Sequence, residues 1–421
     1  MPGMASQAVP DHKRTIGRRE LVVMIALLMS LNALAIDGML PALDEIARDL
    51  HVESGNERQL VVAVFLLANG LGCLVPGVYA DRFGRRPLLL FSLGAYAVLS
   101  ALIVLVNDYT LLLVMRGLQG VLSAGLMVVP IAVIRDEYEG DQMARLMSLV
   151  SAVFITVPVI APSFGQAIML VAGWHMIFLV LALLACLAAV WVYVRLPETI
   201  HADFRQDIHL PTVLRNMRNG LFHRASIGYV IGTALLIGGV FGYVNSAQQL
   251  LGEHFAVGDW FPIVFGGTAS MMAVASIVNS RIVERFGARR VSHAGVLTFI
   301  LVSGCQVYSS TYHPGQLAWF LPLMATNLAL LGFLGANFGS IAMQPFAQTA
   351  GAASSIQTFV RMFGAAVVGL LIGQAYDGTA RPFAIALLIS SVLATLLVLY
   401  SEKGRLFRRL NAPGRPVPQV H

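Results

Sequence analysis

Gly77-Val78-Tyr79-Ala80-Asp81-Arg82-Phe83-Gly84-Arg85-Arg86-Pro87 joins two apolar stretches, and a weaker copy, Glu284-Arg285-Phe286-Gly287-Ala288-Arg289-Arg290, follows about 200 residues later. A short basic hairpin with tight Gly positions thus recurs at matching places along the chain. The pairing reads as a duplication, with the function lying between two similar halves rather than on one surface.

Composition gives the solvent in which those halves fold. The 421 residues are 57% hydrophobic and 12% charged, whereas soluble domains carry roughly 25% charged residues. Mean hydropathy is +0.75. Most side chains must therefore face lipid or one another. A bilayer core about 30 Å thick needs about 20 apolar residues per spanning helix, and the chain has room for a dozen. The net charge of +6 is carried by loops between apolar runs, where it orients a membrane protein and implies no nucleic-acid partner. Cys73, Cys186 and Cys305 fall inside apolar runs and read as small core residues without a disulfide framework. The polar first 20 residues and the long run after them read as an uncleaved first helix.

Twelve apolar segments are expected, near 21–43, 59–80, 87–106, 110–134, 145–169, 174–196, 225–250, 260–283, 290–309, 315–341, 349–375 and 381–400. An even number of helices puts both termini on one side. Of the 28 Lys and Arg residues, that side then receives 23, the opposite side receives Arg48, Arg58 and Arg381, and Arg116 and Arg361 stay inside helices. The positive-inside rule makes the rich side cytoplasmic. The polar stretch at 197–223 reads as a cytoplasmic linker between six-helix bundles at 1–196 and 224–402, with a basic cytoplasmic tail at 403–421. The expected fold is all-α integral membrane, two pseudo-symmetric bundles of six, in the cytoplasmic (inner) membrane.

A charge at the centre of a membrane helix costs about 2.5–3.5 kcal/mol on insertion scales and marks function by default. Asp37, Arg116 and Arg361 are the candidates left once the loops are removed. Asp37 and Arg116 each lie about six residues from the outer end of antiparallel segments, a depth of roughly 9 Å at the helical rise. Equal depth and opposite charge place them in one cavity, as a proton-coupling pair. Arg361 is deep in the eleventh segment, with backbone, polar side chains or substrate as its possible partners. Pro158 and Pro162, ahead of Gly165, predict a bend in the fifth segment. Asn32, Asn69, Gln119, Asn245, Asn327 and Asn337, with Phe241, Tyr243 and Phe333, are further candidates for a mostly apolar substrate cavity with a few polar anchors. No metal cluster, nucleotide loop or nucleophile triad stands out. The Gly-rich run from Gly332 to Gly339 is mid-helix, which excludes a dinucleotide reading. The expectation is a non-enzymatic protein without cofactor or metal.

These residues resemble a known family. Gly77 to Arg86 is similar to the loop signature of the major facilitator superfamily, Gly-x-Leu-Ala-Asp-Arg-x-Gly-Arg-Arg, with Tyr79 replacing Leu. Arg116-Gly117-Leu118-Gln119-Gly120 resembles the helix 4 signature of its drug–proton antiporters. Ile36-Asp37-Gly38-Met39-Leu40-Pro41-Ala42-Leu43 resembles the helix 1 signature of the bicyclomycin-resistance branch. The helix 5 signature, Gly-Pro-x-x-Gly-Gly, stands here as Ala161-Pro162-Ser163-Phe164-Gly165-Gln166. The resemblance implies alternating access about a central site. It assigns Gly77, Asp81, Arg82, Gly84, Arg85, Arg86 and Asp136 to a conformational latch, with Asp81 facing the start of helix 11 near Thr349 and Arg85 pairing near Asp136.

Three functions compete at this stage. One is proton-driven efflux of small amphipathic drugs, with Asp37 carrying the proton. The second is proton-coupled transport of an endogenous metabolite, which the altered helix 5 signature permits. The third is a membrane receptor or scaffold that does not transport. The expected partners are a small-molecule substrate, protons and the lipid bilayer, and the chain is expected to act as a monomer.

Overall fold

The computed structural model describes residues 16–52, 55–138, 140–200, 215, 218–346 and 350–407. The first part of the chain forms α1 (Arg18–Asp37), α2 (Leu43–Asp49), α3 (Leu60–Gly72), α4 (Pro76–Phe83), α5 (Arg85–Ile103), α6 (Tyr109–Ser123), α7 (Gly125–Glu137), α8 (Gly140–Ala172) and α9 (His175–Arg195). The second forms α10 (Arg224–Ala247), α11 (Phe261–Phe286), α12 (Ala288–Tyr312), α13 (Leu317–Met343), α14 (Ala350–Gln374) and α15 (Arg381–Ser401).

Among the described residues, ten helical segments are long and apolar enough to cross a membrane. An eleventh is made by the α3–α4 pair, bent by 48°. The 33-residue α8, whose apolar stretch Thr156–Ala172 is shorter than these, occupies the place of the fifth expected segment. The ends agree with the hydrophobic pattern to within a few residues. The breaks within spans follow local chemistry. Pro76 opens α4 after the α3 break, where its missing N–H costs no helical bond. Pro41 lies in a 3-10 turn, Leu40–Ala42, directly after α1 ends at Asp37. By contrast, α8 runs unbroken through Pro158 and Pro162. Gly84 and Gly287, the matching glycines of the two hairpins, have φ of 106° and 83°. These are conformations that a side chain resists, so the duplication read from the sequence is present in the backbone.

Small residues set the helix spacing, as is usual where lipid gives no hydrophobic drive for association. A Cβ on Gly120 would lie 2.9 Å from the Cβ of Ala68 and 3.0 Å from the backbone N of Asn69, so α6 lies directly on α3. The same pattern repeats across the molecule. In the first six spans α3 packs on α6, α5 on α9 and α1 on α8; in the last six α10 packs on α13, α14 and α15, and α12 on α13 and α15. The two sets meet where α3 runs along α14 and α8 along α11. Large apolar side chains such as Leu105, Leu170 and Val171 point outward, as a lipid-facing belt requires. Cys186 and Cys305 also point outward, and only Cys73 is the core residue the sequence suggested.

The packing yields a paired expectation for thermal unfolding in detergent. Gly120→Leu forces α3 and α6 apart and should destabilise by about 1–3 kcal/mol. Gly94→Ala, on an exposed helix face with nothing within 4 Å of the new methyl, should leave the midpoint unchanged or raise it by the equivalent of about 0.5–1 kcal/mol.

Candidate functional site

Arg116 is wholly buried on α6. Its guanidinium donates from Nε to the carbonyl of Val61 at 3.0 Å, from Nη1 to Gln119 Oε1 at 2.7 Å and from Nη2 to the carbonyl of Ala35 at 2.9 Å. The face of Phe65 lies 4.4 Å from its Cζ, within cation–π range. Ala35 is in the last turn of α1, where carbonyls have no partner in their own helix and the dipole end is negative. Arg116 therefore caps α1 and ties it to α3 and α6. Gln119 is fixed in turn by donating to Ser100 Oγ at 2.7 Å.

Asp37 lies two residues beyond Ala35, at the end of α1, and is also buried. The sequence placed Asp37 and Arg116 in one cavity as a pair, but they form no ion pair or hydrogen bond. The Asp37 carboxyl has no protein partner of either kind among the described residues. Beside it the chain is crossed closely by α8: a Cβ on Gly165 would lie 2.8 Å from the carbonyl carbon of Gly38. Gly165 is thus a point of close approach between α8 and the end of α1, whereas the bend expected from Pro158 and Pro162 does not interrupt the helix.

At the other end of the first six spans, Arg85 is buried between two carboxylates. Nη1 lies 2.6 Å from Asp81 and Nε 2.9 Å from Asp136. Asp136 also accepts from Thr199 Oγ1 at 3.0 Å. Glu198 accepts from the backbone N–H groups of Arg85 and Arg86 at 2.8 and 3.3 Å, capping the positive end of α5. Arg86 reaches the carbonyl of Tyr193. Gly77 lies against Ser355 of α14. Arg82 stacks only on Phe83 and stays outside this cluster. Thr349 lies outside the described residues. Glu198 and Thr199, assigned to the linker on sequence, belong to the cluster. The signal was available, because Glu402 follows the last span as Glu198 follows the sixth and binds Arg289 of the second hairpin at 2.8 Å.

The opposite end is fastened by polar contacts between the two sets of spans. Arg58 pairs with Asp44 of its own set and with Glu253 of the other. Gln248 donates to Asp44 at 2.7 Å and Gln249 to Asn56 at 2.9 Å. Asn56 in turn donates to the carbonyls of Gln374 and Tyr376 at 3.2 and 3.1 Å. Gln248 and Gln249 begin a π-helical turn, Gln248–His254, that continues α10. Just inside this clasp, Gln59 and Asn245 both lie beside Gly373, and neither amide has a partner. Sequence reading named Asn245 but missed Gln59.

The remaining substrate candidates divide. Asn32 and Asn69 donate to backbone carbonyls of α6. Asn337 forms a reciprocal amide pair with Asn279 at 3.0 Å. Asn327 accepts from Ser303, and Tyr243 bonds Thr268 while stacking on Phe265. These are ties between helices. Phe241 packs against Gly369, and Phe333 is half-buried. Arg361 is half-buried and bonds only within its own helix, to the Gln357 carbonyl at 3.3 Å and Thr358 Oγ1 at 3.1 Å.

The Arg116 geometry gives a direct test. Lysine cannot present a planar fork to three acceptors at once, and each buried acceptor left unmet costs about 1–3 kcal/mol. Arg116→Lys should therefore lower the unfolding midpoint in detergent. The charge swap Asp37→Arg with Arg116→Asp should not restore it, since no pair exists to be rebuilt.

Comparison with known proteins agrees with this arrangement. The family model for the Major Facilitator Superfamily matches residues 25–369. The chain is 28% identical to an uncharacterized MFS-type transporter, YdgK, of Bacillus subtilis, over 94% of this chain and 98% of that one. It is 28% identical to a bicyclomycin resistance protein homolog of Haemophilus influenzae, over 89% and 94%. It is 27% identical to the multidrug resistance protein MdtL of Escherichia coli, over 95% and 97%. Among solved structures it shares its fold with a bacterial homolog of the human lysosomal transporter Spinster, at a TM-score of 0.68 and 14% identity over 92% and 96% of the two chains. With the human organic anion transporter MFSD10 the TM-score is 0.63 at 15% identity, over 92% and 100%. Ten to eleven apolar spans among the described residues, a duplicated Gly-Arg hairpin and a match over most of the length make this chain a member of the Major Facilitator Superfamily, a multi-pass membrane transporter and not an enzyme.

Proposed function

We propose that the chain exports small amphipathic drugs across the bacterial inner membrane in exchange for protons. It works as a monomer with both termini in the cytoplasm, and the spans before and after 197–223 act as two bundles. The observation that carries the reading is the Asp37 carboxyl, buried at the end of α1 with no cation or donor to meet it among the described residues. An isolated charge there is costly, and a proton is the partner that removes the cost. The multidrug and bicyclomycin resistance names of full-length relatives support a drug as the cargo, and the 23-to-3 asymmetry of basic residues supports the orientation.

In this cycle the Arg58 clasp closes the outer side and the Arg85 cluster governs the inner side. Contacts made in one state only bias the equilibrium between two. Asp37 takes a proton when it faces outward, turns inward neutral, and gives the proton up as cargo binds. Inward movement of one proton is worth about 2.3 kcal/mol per 100 mV. Asn at Asp37 keeps the shape and removes the proton. Cells overexpressing the protein should resist members of a panel of amphipathic antibiotics, and Asp37→Asn should abolish that resistance at equal expression. In proteoliposomes with an imposed proton gradient the same variant should lose coupled efflux; full coupling in Asp37→Asn would reject the role.

A further inference from the structure

Arg361 stands midway along the 25-residue α14. No residue from Ala353 to Leu370 is exposed, so over this stretch α14 is an interior helix and the space that Arg361 reaches is inside the bundle. Its Nε and Nη2 bond within α14, to the Gln357 carbonyl and Thr358 Oγ1, while Nη1 has no hydrogen bond to any of the described residues. α14 leans on α10 and α3 and only lightly on α13. Nη1 projects across to α13 at Gly339, 3.1 Å from where a Cβ would stand. No acidic side chain pairs with it among the described residues.

Comparison with Arg116 shows what is missing. Arg116 has acceptors on three helices for its three nitrogens and two aromatic faces beside it. Arg361 has neither. A cation inside a membrane protein without a counter-charge is costly, and the guanidinium fork is suited to an oxyanion. The fixed Nε and Nη2 pre-set the fork and leave Nη1 free. The absent side chain at Gly339 is what lets Nη1 sit against α13.

We infer that the cargo is an amphiphile bearing a carboxylate, held by Arg361 between α13 and α14. This deepens the transport reading by naming the chemical class of its substrate.

Binding to the purified full-length protein in detergent, with no proton gradient, tests the inference apart from coupling. The probes are matched pairs, dansylglycine with its amide and 1-naphthylacetate with its amide. Wild type should bind each acid about tenfold more tightly than its amide, as one charge-assisted hydrogen bond allows. Arg361→Gln should equalise the two, and Arg361→Lys, which keeps the charge, should retain part of the preference and so distinguish lost recognition from misfolding. Gly339→Ala should weaken acid binding by crowding the guanidinium. Asp37→Asn should keep the acid preference; if that variant also keeps coupled efflux, the proton role fails while the carboxylate site stands. Equal binding of acid and amide, no binding of either, or a preference that survives Arg361→Gln overturns the inference.

Discussion

Arg116 is the interaction on which the arrangement of the first bundle depends. A buried guanidinium is tolerable only if its donors are met, and here they are met by two backbone carbonyls and an amide from three helices. One of those carbonyls belongs to the last turn of α1. The cation is thus used up in fastening the helix end, and the carboxyl of Asp37 two residues later has no ion pair or hydrogen bond among the described residues. Two residues that the sequence places at one depth make no ion pair with each other: Arg116 is a tie between helices, and Asp37 stands apart from it. The separation matters for transport, because a carboxylate locked in a salt bridge would give up its charge and regain it with difficulty.

The two ends of the molecule show different kinds of contact. At the Arg85 end the polar cluster lies within one set of spans, fixing the first hairpin to the residues that follow α9. At the Arg58 end the contacts cross between sets, through Glu253, Gln248, Gln249, Gln374 and Tyr376. Closure at that end has a cost, since Gln59 and Asn245 are buried behind it without partners among the described residues.

Much of the fold was legible in the sequence, because lipid leaves one signal dominant: apolar length between charged loops. The apolar segments, their ends and the duplicated hairpin follow from it. The Arg85–Asp81–Asp136 cluster was legible from motif resemblance. Contacts depending on rotation about a helix axis were not. Asp37 and Arg116 match in depth, but depth says nothing about the face on which each lies. Most of the polar candidates are ties between helices, since Asn and Gln serve that role as readily as they bind a ligand. The clasp was missed because Arg58, Asp44 and Glu253 meet only after two distant loops come together. Glu198 was hidden in a segment that looked like plain linker.

The central claim, that Asp37 exchanges a proton as cargo binds, can be read without a membrane. Cargo is added to purified protein in weakly buffered detergent solution, and released protons are followed with a pH indicator. The account predicts that wild type releases protons in step with binding and that Asp37→Asn binds the same compound with no release. Equal release from the variant, or binding to wild type with none, would contradict it.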